Sequence, residues 1–254
     1  MAHLVPDTNV WIGVGRDPDL SHELERAQAN GSKVLVAPPA LIELVRGMVR
    51  HGDATFVEDR KTYQWMVDNK CLVLELTKPF MIDVLGADPL RISRVLPAHY
   101  HQLIGMVTAS NSLDEFVQRC NAKDSVWHNV EKLDAIHEAQ IEKELNALEA
   151  LAKQDKDLDV SGGLAKTFTV CGAPPSAATV REHFSAAIEY LQSSLKKVSQ
   201  GAKPRKNDRG MYVDWQLLMY LALPEALFVT DEDFSSEIVK SPQKDRIVKS
   251  DSLL

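Results

Sequence analysis

The sequence predicts an α/β protein with a central, mostly parallel sheet, interrupted by a mostly helical insertion. Three observations predict it. Strand-like and helix-like patterns alternate at both ends of the chain, as they do in βα units whose strands run parallel. The strand segments, such as KVLV and ALFVT, are short apolar runs bounded by turn residues. Between about residues 79 and 200 the pattern is almost entirely helical. Residues 1–78 together with 205–254 are therefore assigned to the α/β unit, and 79–204 to a helical insertion or subdomain.

The elements follow in order. HLVP is the first strand, and it stops at Asp7-Thr8-Asn9, three residues that satisfy their own backbone locally. In DPDLSHELERAQANG, Asp17 or Asp19 sits near a helix start, Leu20, Leu24 and Ala27 share a face, and Gly31 ends the helix. KVLVAPP is a buried strand stopped by Pro38 and Pro39. PALIELVRGMVRHG places Leu41, Leu44, Val45 and Met48 at helical spacing, with proline tolerated in the first turn. CLVLELT, residues 71–77, is a further strand. Within 126–153, Val130, Leu133, Ile136 or His137, Ile141, Leu145, Leu148 and Leu151 or Ala152 recur every three or four residues, the stripe of an amphipathic helix. A looser stretch separates it from the helix VREHFSAAIEYLQSSLKK. WQLLMYLALP is helical, ALFVT is a strand, and DRIVKS is a short edge strand.

Composition narrows the function classes. A chain of 254 residues with 44% hydrophobic residues can bury one large core or two modest ones. No apolar run approaches the roughly 20 residues needed to span a bilayer. The N-terminus has no basic-then-apolar secretory pattern, so a cytoplasmic location is expected. The three cysteines, Cys71, Cys120 and Cys171, lack metal-ligand spacing and are expected to be buried thiols. A net charge of -7 argues against nucleic-acid binding by bulk electrostatics. One stretch runs against that balance: residues 195–209 hold Lys196, Lys197, Lys203, Arg205, Lys206 and Arg209 against Asp208 alone. Taken by itself, such a run reads as solvated surface.

In open parallel sheets, ligands bind outside the carboxyl ends of the strands, where strand order reverses. Acids at those ends are Asp7, after HLVP, and Asp231 and Asp233, after ALFVT. Two helical acids join them: Glu43, one turn after the second strand, and Asp214, at the start of DWQLLMYLAL. If the first and last strands lie side by side, these carboxylates converge. Like charges at close range raise one another's pKa, and a divalent cation relieves the conflict. An all-oxygen ligand set suits Mg²⁺ or Mn²⁺ better than zinc, and such a centre hydrolyses phosphodiesters.

The set DTNVWI, ALIELVRG and DWQLLMYLALPEALFVTDEDF resembles the PIN-domain family of nucleases, over roughly residues 3–75 and 207–250. The resemblance implies a three-layer PIN-like fold and metal-dependent, mostly endonucleolytic cleavage of RNA. It matches Asp7, Glu43, Asp214 and Asp231 to the four family acids. Thr8 and Asn9 match the polar residues after the first acid, and Thr230 matches the hydroxyl before the last. The family spaces its last motif as Thr, any residue, Asp. Here Thr230 is followed directly by Asp231, Glu232 stands in the usual slot and Asp233 lies one further on, so Asp231, Glu232 and Asp233 all stay open as the fourth acid, with Asp231 or Asp233 taken in the ligand set. Compact toxins of this fold are about half as long, and the helical insertion has no counterpart in them.

On this reading Asp7, Asp214 and Asp231 or Asp233 hold Mg²⁺ or Mn²⁺ with Glu43, while Thr8, Asn9 and Thr230 orient the ligands. Lys203, Arg205, Lys206 and Arg209 then become a clamp for the backbone of single-stranded RNA. An antitoxin or other protein partner is expected, if anywhere, on the helical insertion. The alternative is a PIN-like module that binds RNA or protein without turnover. Each acid has a plainer role as well: turn residue, helix cap, or, for Glu43, partner of Arg46 or Arg50. Other motifs fail on their residues. GVGRDP has Pro18 where a dinucleotide fingerprint needs glycine, SGGLAKT lacks P-loop spacing, and His99 and His101 have no evident co-ligands. The DTN turn also resembles that of haloacid dehalogenase-like phosphatases, but Asn9 occupies the place of their second Asp.

Overall fold

The computed structural model describes residues 2–86, 98–128, 160–167, 175–200 and 209–253, with isolated positions between 130 and 150. Strand β1 (His3–Pro6) ends where Asp7 caps helix α1 (Thr8–Arg16). The Asp7 carboxylate accepts a hydrogen bond from the Val10 amide, one of the free donors of a helix N-terminus. Helix α2 (Pro18–Ala29) is capped by Asp17, with Pro18 in its first turn. Gly31 leaves it at φ 94, in the left-handed region that glycine enters without penalty. Strand β2 (Lys33–Val36) leads into α3 (Pro38–His51), whose two prolines occupy a turn that needs no amide donors. Helix α4 (Asp53–Asp68) and strand β3 (Leu72–Val73) follow.

The segment expected as a strand over 71–77 is shorter than its pattern. Pairing with β2 covers Leu72 and Val73, Leu74 donates one further bond to the Val36 carbonyl at 2.9 Å, and Thr77 already begins α5 (Thr77–Gly86). Beyond it lie α6 (Ala98–Thr108), α7 (Leu113–Asn121), α8 (Val160–Thr167), α9 (Ala177–Ser199) and α10 (Arg209–Met219). Strands β4 (Ala226–Thr230) and β5 (Ile247–Lys249) close the chain's sheet, with β5 at its edge. Most of the amphipathic stripe expected over 126–153 lies outside the described residues, as does Cys171; Cys71 and Cys120 are free and buried.

The five strands are parallel and lie in the order β3-β2-β1-β4-β5. The chain builds outward from β1 through β2 to β3, then returns to β1's other side with β4. Strand order therefore reverses at the β1–β4 pair. Their register sets Pro6 beside Val229, and the Asp7 amide donates to the Val229 carbonyl at 2.9 Å. Successive residues of β1, β2 and β4 are buried, which requires cover on both faces of the sheet.

The helices between β3 and β4 contribute to the same core as the sheet. Tyr100, Leu103, Phe116, Phe184 and Leu191 belong to one hydrophobic cluster with Val5, Trp11, Val36 and Phe228. Close approach of α1 to α4 depends on Gly15: a Cβ there would meet the Glu58 carbonyl oxygen at 2.3 Å and Thr62 Oγ1 at 2.6 Å. At the same contact Thr62 donates to the Trp11 carbonyl at 3.0 Å, and the Trp11 and Trp65 rings lie 6.0 Å apart. Among the described residues, no helix is long and apolar enough to cross a membrane.

Candidate functional site

Asp7 stands at the carboxyl end of β1, 5% exposed, and both its oxygens are engaged. One oxygen accepts from the Val10 amide at 2.8 Å; the other accepts from the Thr230 hydroxyl at 2.5 Å, across a sequence separation of 223 residues. The helix-cap role and the role in an acid cluster thus coexist in one side chain. The Thr230 hydroxyl in turn accepts from the Glu232 amide at 2.9 Å. This local turn carries the chain back over the end of β4 and sets where the three following acids go.

Glu232 turns toward the site, where its carboxylate accepts from Asn9 Nδ2 at 3.3 Å. Asp231 is tied to the end of β5 and the residue that follows it. The Asp231 carboxylate accepts from the Ser250 hydroxyl, and its carbonyl accepts from Lys249 Nζ at 2.7 Å. The Asp233 carboxylate accepts from the Ser235 amide at 2.9 Å, and Asp231, Glu232 and Asp233 are all exposed. Of the three candidates for the fourth acid, Glu232 reaches Asn9 and is the acid that most raises Asp214, while Asp231 and Glu232 both raise Asp7. Glu232 is also the candidate that keeps the Thr, any residue, acid spacing, with a longer side chain.

Glu43 projects from the second turn of α3 and accepts from the Thr8 hydroxyl at 2.5 Å. Asp214 is also within its helix. Expected at a helix start, it lies instead well inside α10, which begins at Arg209, so it does not cap that helix. Its carboxylate accepts from the Tyr190 hydroxyl at 3.0 Å. Tyr190 was not foreseen as a site residue. It comes from α9, and no motif in VREHFSAAIEYLQSSLKK marks it.

Asp214 and Asp7 both sense the acids around them. Burial, then the Glu232 carboxylate, push the Asp214 pKa up to about 7, with Asp7 and Glu43 adding to the rise and the Tyr190 hydrogen bond opposing it. Burial pushes Asp7 up to about 6; Thr230 and Val10 hold it down, while Asp231 and Glu232 raise it. Protein groups thus leave this negative charge undercompensated, and the donor set is oxygen only, the chemistry of a hard divalent cation. Yet among the described residues no three His, Cys, Asp or Glu side chains stand ready-made around a single metal position. The donor types fit Mg²⁺ or Mn²⁺, and the carboxylates share a space without already converging on one point.

Beside this space a cleft of about 400 Å³ continues from Thr230 and Glu232 between Phe234, Ile238, Lys244 and Lys249. Of the expected clamp, Lys203, Arg205 and Lys206 lie outside the described residues, and Arg209 is described only as the first residue of α10. Lys197 forms an ion pair with Glu237 at 2.5 Å. His99 and His101 are exposed on α6. Compared with known proteins, the chain matches no family model, no curated protein and no solved structure.

Proposed function

We propose that the chain is a PIN-like, divalent-metal-dependent endoribonuclease that hydrolyses phosphodiester bonds in single-stranded RNA. The observation that carries the reading is the meeting of Asp7, Glu43, Asp214 and Glu232 at the switch point of the sheet, with the two most buried of them raised to about 6 and about 7. Carboxylates kept at such a point against their own repulsion favour a role that a cation completes.

Asp7, Asp214 and Glu232, with Glu43, would hold Mg²⁺ or Mn²⁺. The ion would supply Lewis acidity toward a phosphate oxygen and lower the pKa of a water. The chain's own groups do the positioning. Thr230 fixes one oxygen of Asp7, Thr8 fixes Glu43 and Asn9 steadies Glu232. The basic stretch with Lys203, Arg205, Lys206 and Arg209 leads directly into the helix that bears Asp214, and we assign it to the RNA backbone. A protein partner such as an antitoxin would dock on the helices between β3 and β4.

The test is Asp7→Asn. Asparagine keeps the cap on α1, so the variant is expected to fold and to lose Mn²⁺-dependent cleavage of a single-stranded RNA; equal cleavage by both proteins refutes the mechanism. A second reading, an RNA- or protein-binding module without turnover, is favoured by the lack of a ready-made three-ligand group among the described residues. It predicts RNA binding with no product formed at any Mn²⁺ concentration.

A further inference from the structure

We propose that Tyr190, on helix α9, is a positioning residue for the Asp214 carboxylate, so that the helical stretch between β3 and β4 supplies part of the acid site. The inference rests on the metal-site reading above and extends it to a residue outside the four acids. It stands on how firmly Tyr190 is held.

The Tyr190 ring is 8% exposed and meets Phe234 edge-on, with centroids 5.5 Å apart; Phe234 meets Phe228 of β4 in the same way at 5.8 Å. The ring thus reaches the sheet's own core through Phe234, which lies two residues beyond Glu232. The helix on which it rides is tied down around it. Glu189, its neighbour, accepts from the backbone amides of Lys240, at 2.8 and 3.0 Å, and Ser241, at 2.7 Å. Five residues before Tyr190, Ser185 shares a hydrogen bond with Ser241 at 2.7 Å, and the amide of the next residue, Ala186, donates to Gln243 Oε1 at 3.0 Å. Gln243 Nε2 then donates to the carbonyls of His183 at 2.8 Å and Leu221 at 3.1 Å. Further along, the Lys197–Glu237 pair holds α9 to the segment after β4.

These contacts join α9 to the stretch from Phe234 to Gln243, which descends from Glu232. The Tyr190 hydroxyl is therefore carried at a fixed place beside Asp214. Its single donor is directed at Asp214 Oδ2, 3.0 Å away. A carboxylate oxygen bound in this way loses rotational freedom, and its partner oxygen is the one left to face a cation. Groups that hold a ligand from behind contribute to metal affinity although they never touch the ion.

The experiment titrates the full chain with Mn²⁺ alone, by calorimetry at one pH, and compares wild type with Tyr190→Phe, which keeps the ring and removes the hydroxyl. We expect the Mn²⁺ dissociation constant to rise about tenfold while the far-UV circular dichroism of the metal-free protein is unchanged. Phe234→Leu removes the ring edge that fixes Tyr190 and leaves the hydroxyl in place. It is the second variant, expected to weaken Mn²⁺ binding in the same direction and by less. Wild-type binding with unchanged affinity in both variants overturns the role of Tyr190 and leaves the acid site standing. No Mn²⁺ binding by wild type overturns the metal-site reading, and the role falls with it.

Discussion

Asp7 combines two duties that a sequence reads as rivals. One oxygen caps α1 and the other meets Thr230 across the sheet, because the parallel β1–β4 register leaves the carboxyl ends of both strands level. Burial and neighbouring acids raise Asp7 and Asp214 from their ordinary value of 3.8 to about 6 and about 7. In the metal-free protein, the folded state then binds more protons than the unfolded chain between about pH 4 and 7. Their contribution to stability is greatest below pH 4 and is lost as pH rises through the folded values. Urea denaturation at pH 5 and pH 8 checks the sign: Asp214→Asn, which does not titrate, should gain stability relative to wild type on going from pH 5 to pH 8. At the turn after β4, Glu232→Gln is expected to lower RNA cleavage at least a hundredfold, in the range of a lost metal ligand or its direct support, whereas Asp233→Asn should stay near wild type. Initial rates under saturating Mn²⁺ separate the two. A large loss in Asp233→Asn alone would return the fourth-acid role to that residue.

At the scale of elements, α1 and α4 are close because Gly15 lets them be. Gly15→Ala forces a methyl group into the Glu58 carbonyl, a backbone atom that has no rotamer to escape through, and should destabilise the fold by roughly 1–3 kcal/mol. Gly105, exposed within α6, is the opposite case: an added Cβ meets nothing within 4 Å. Gly105→Ala should therefore stabilise the protein by about 0.5–1 kcal/mol through helix propensity alone. Thermal or chemical denaturation of both variants reads the contrast. The elements themselves were largely legible. Asp17 and Pro18 mark the start of α2, Pro38 and Pro39 the change from β2 to α3, and ALFVT is β4 in full. CLVLELT forms a shorter strand than its pattern predicts, because an apolar run of that length shows burial without saying which backbone will pair. Only Leu72 and Val73 find β2 beside them, and the remainder turns into α5.

For the whole molecule, the β1–β4 pairing makes one site out of the two ends of the chain, and any ligand held there by the folded protein alone must stabilise the entire fold. Mn²⁺ at about a hundred times its dissociation constant should add roughly 2.7 kcal/mol. The unfolding midpoint should rise accordingly, and the rise should vanish in Asp7→Asn.

By itself the sequence determined the α/β class, the strand-end position of Asp7 and the helical position of Glu43, because hydrophobic periodicity and turn chemistry are local. Only the tertiary structure decided that Glu232 reaches Asn9 while Asp231 is tied to Lys249 and Ser250, and that Tyr190 reaches Asp214 from α9. Those outcomes depend on contacts between residues far apart in the chain. Such contacts follow from the order of strands and the packing of helices onto them, which no short stretch of sequence encodes.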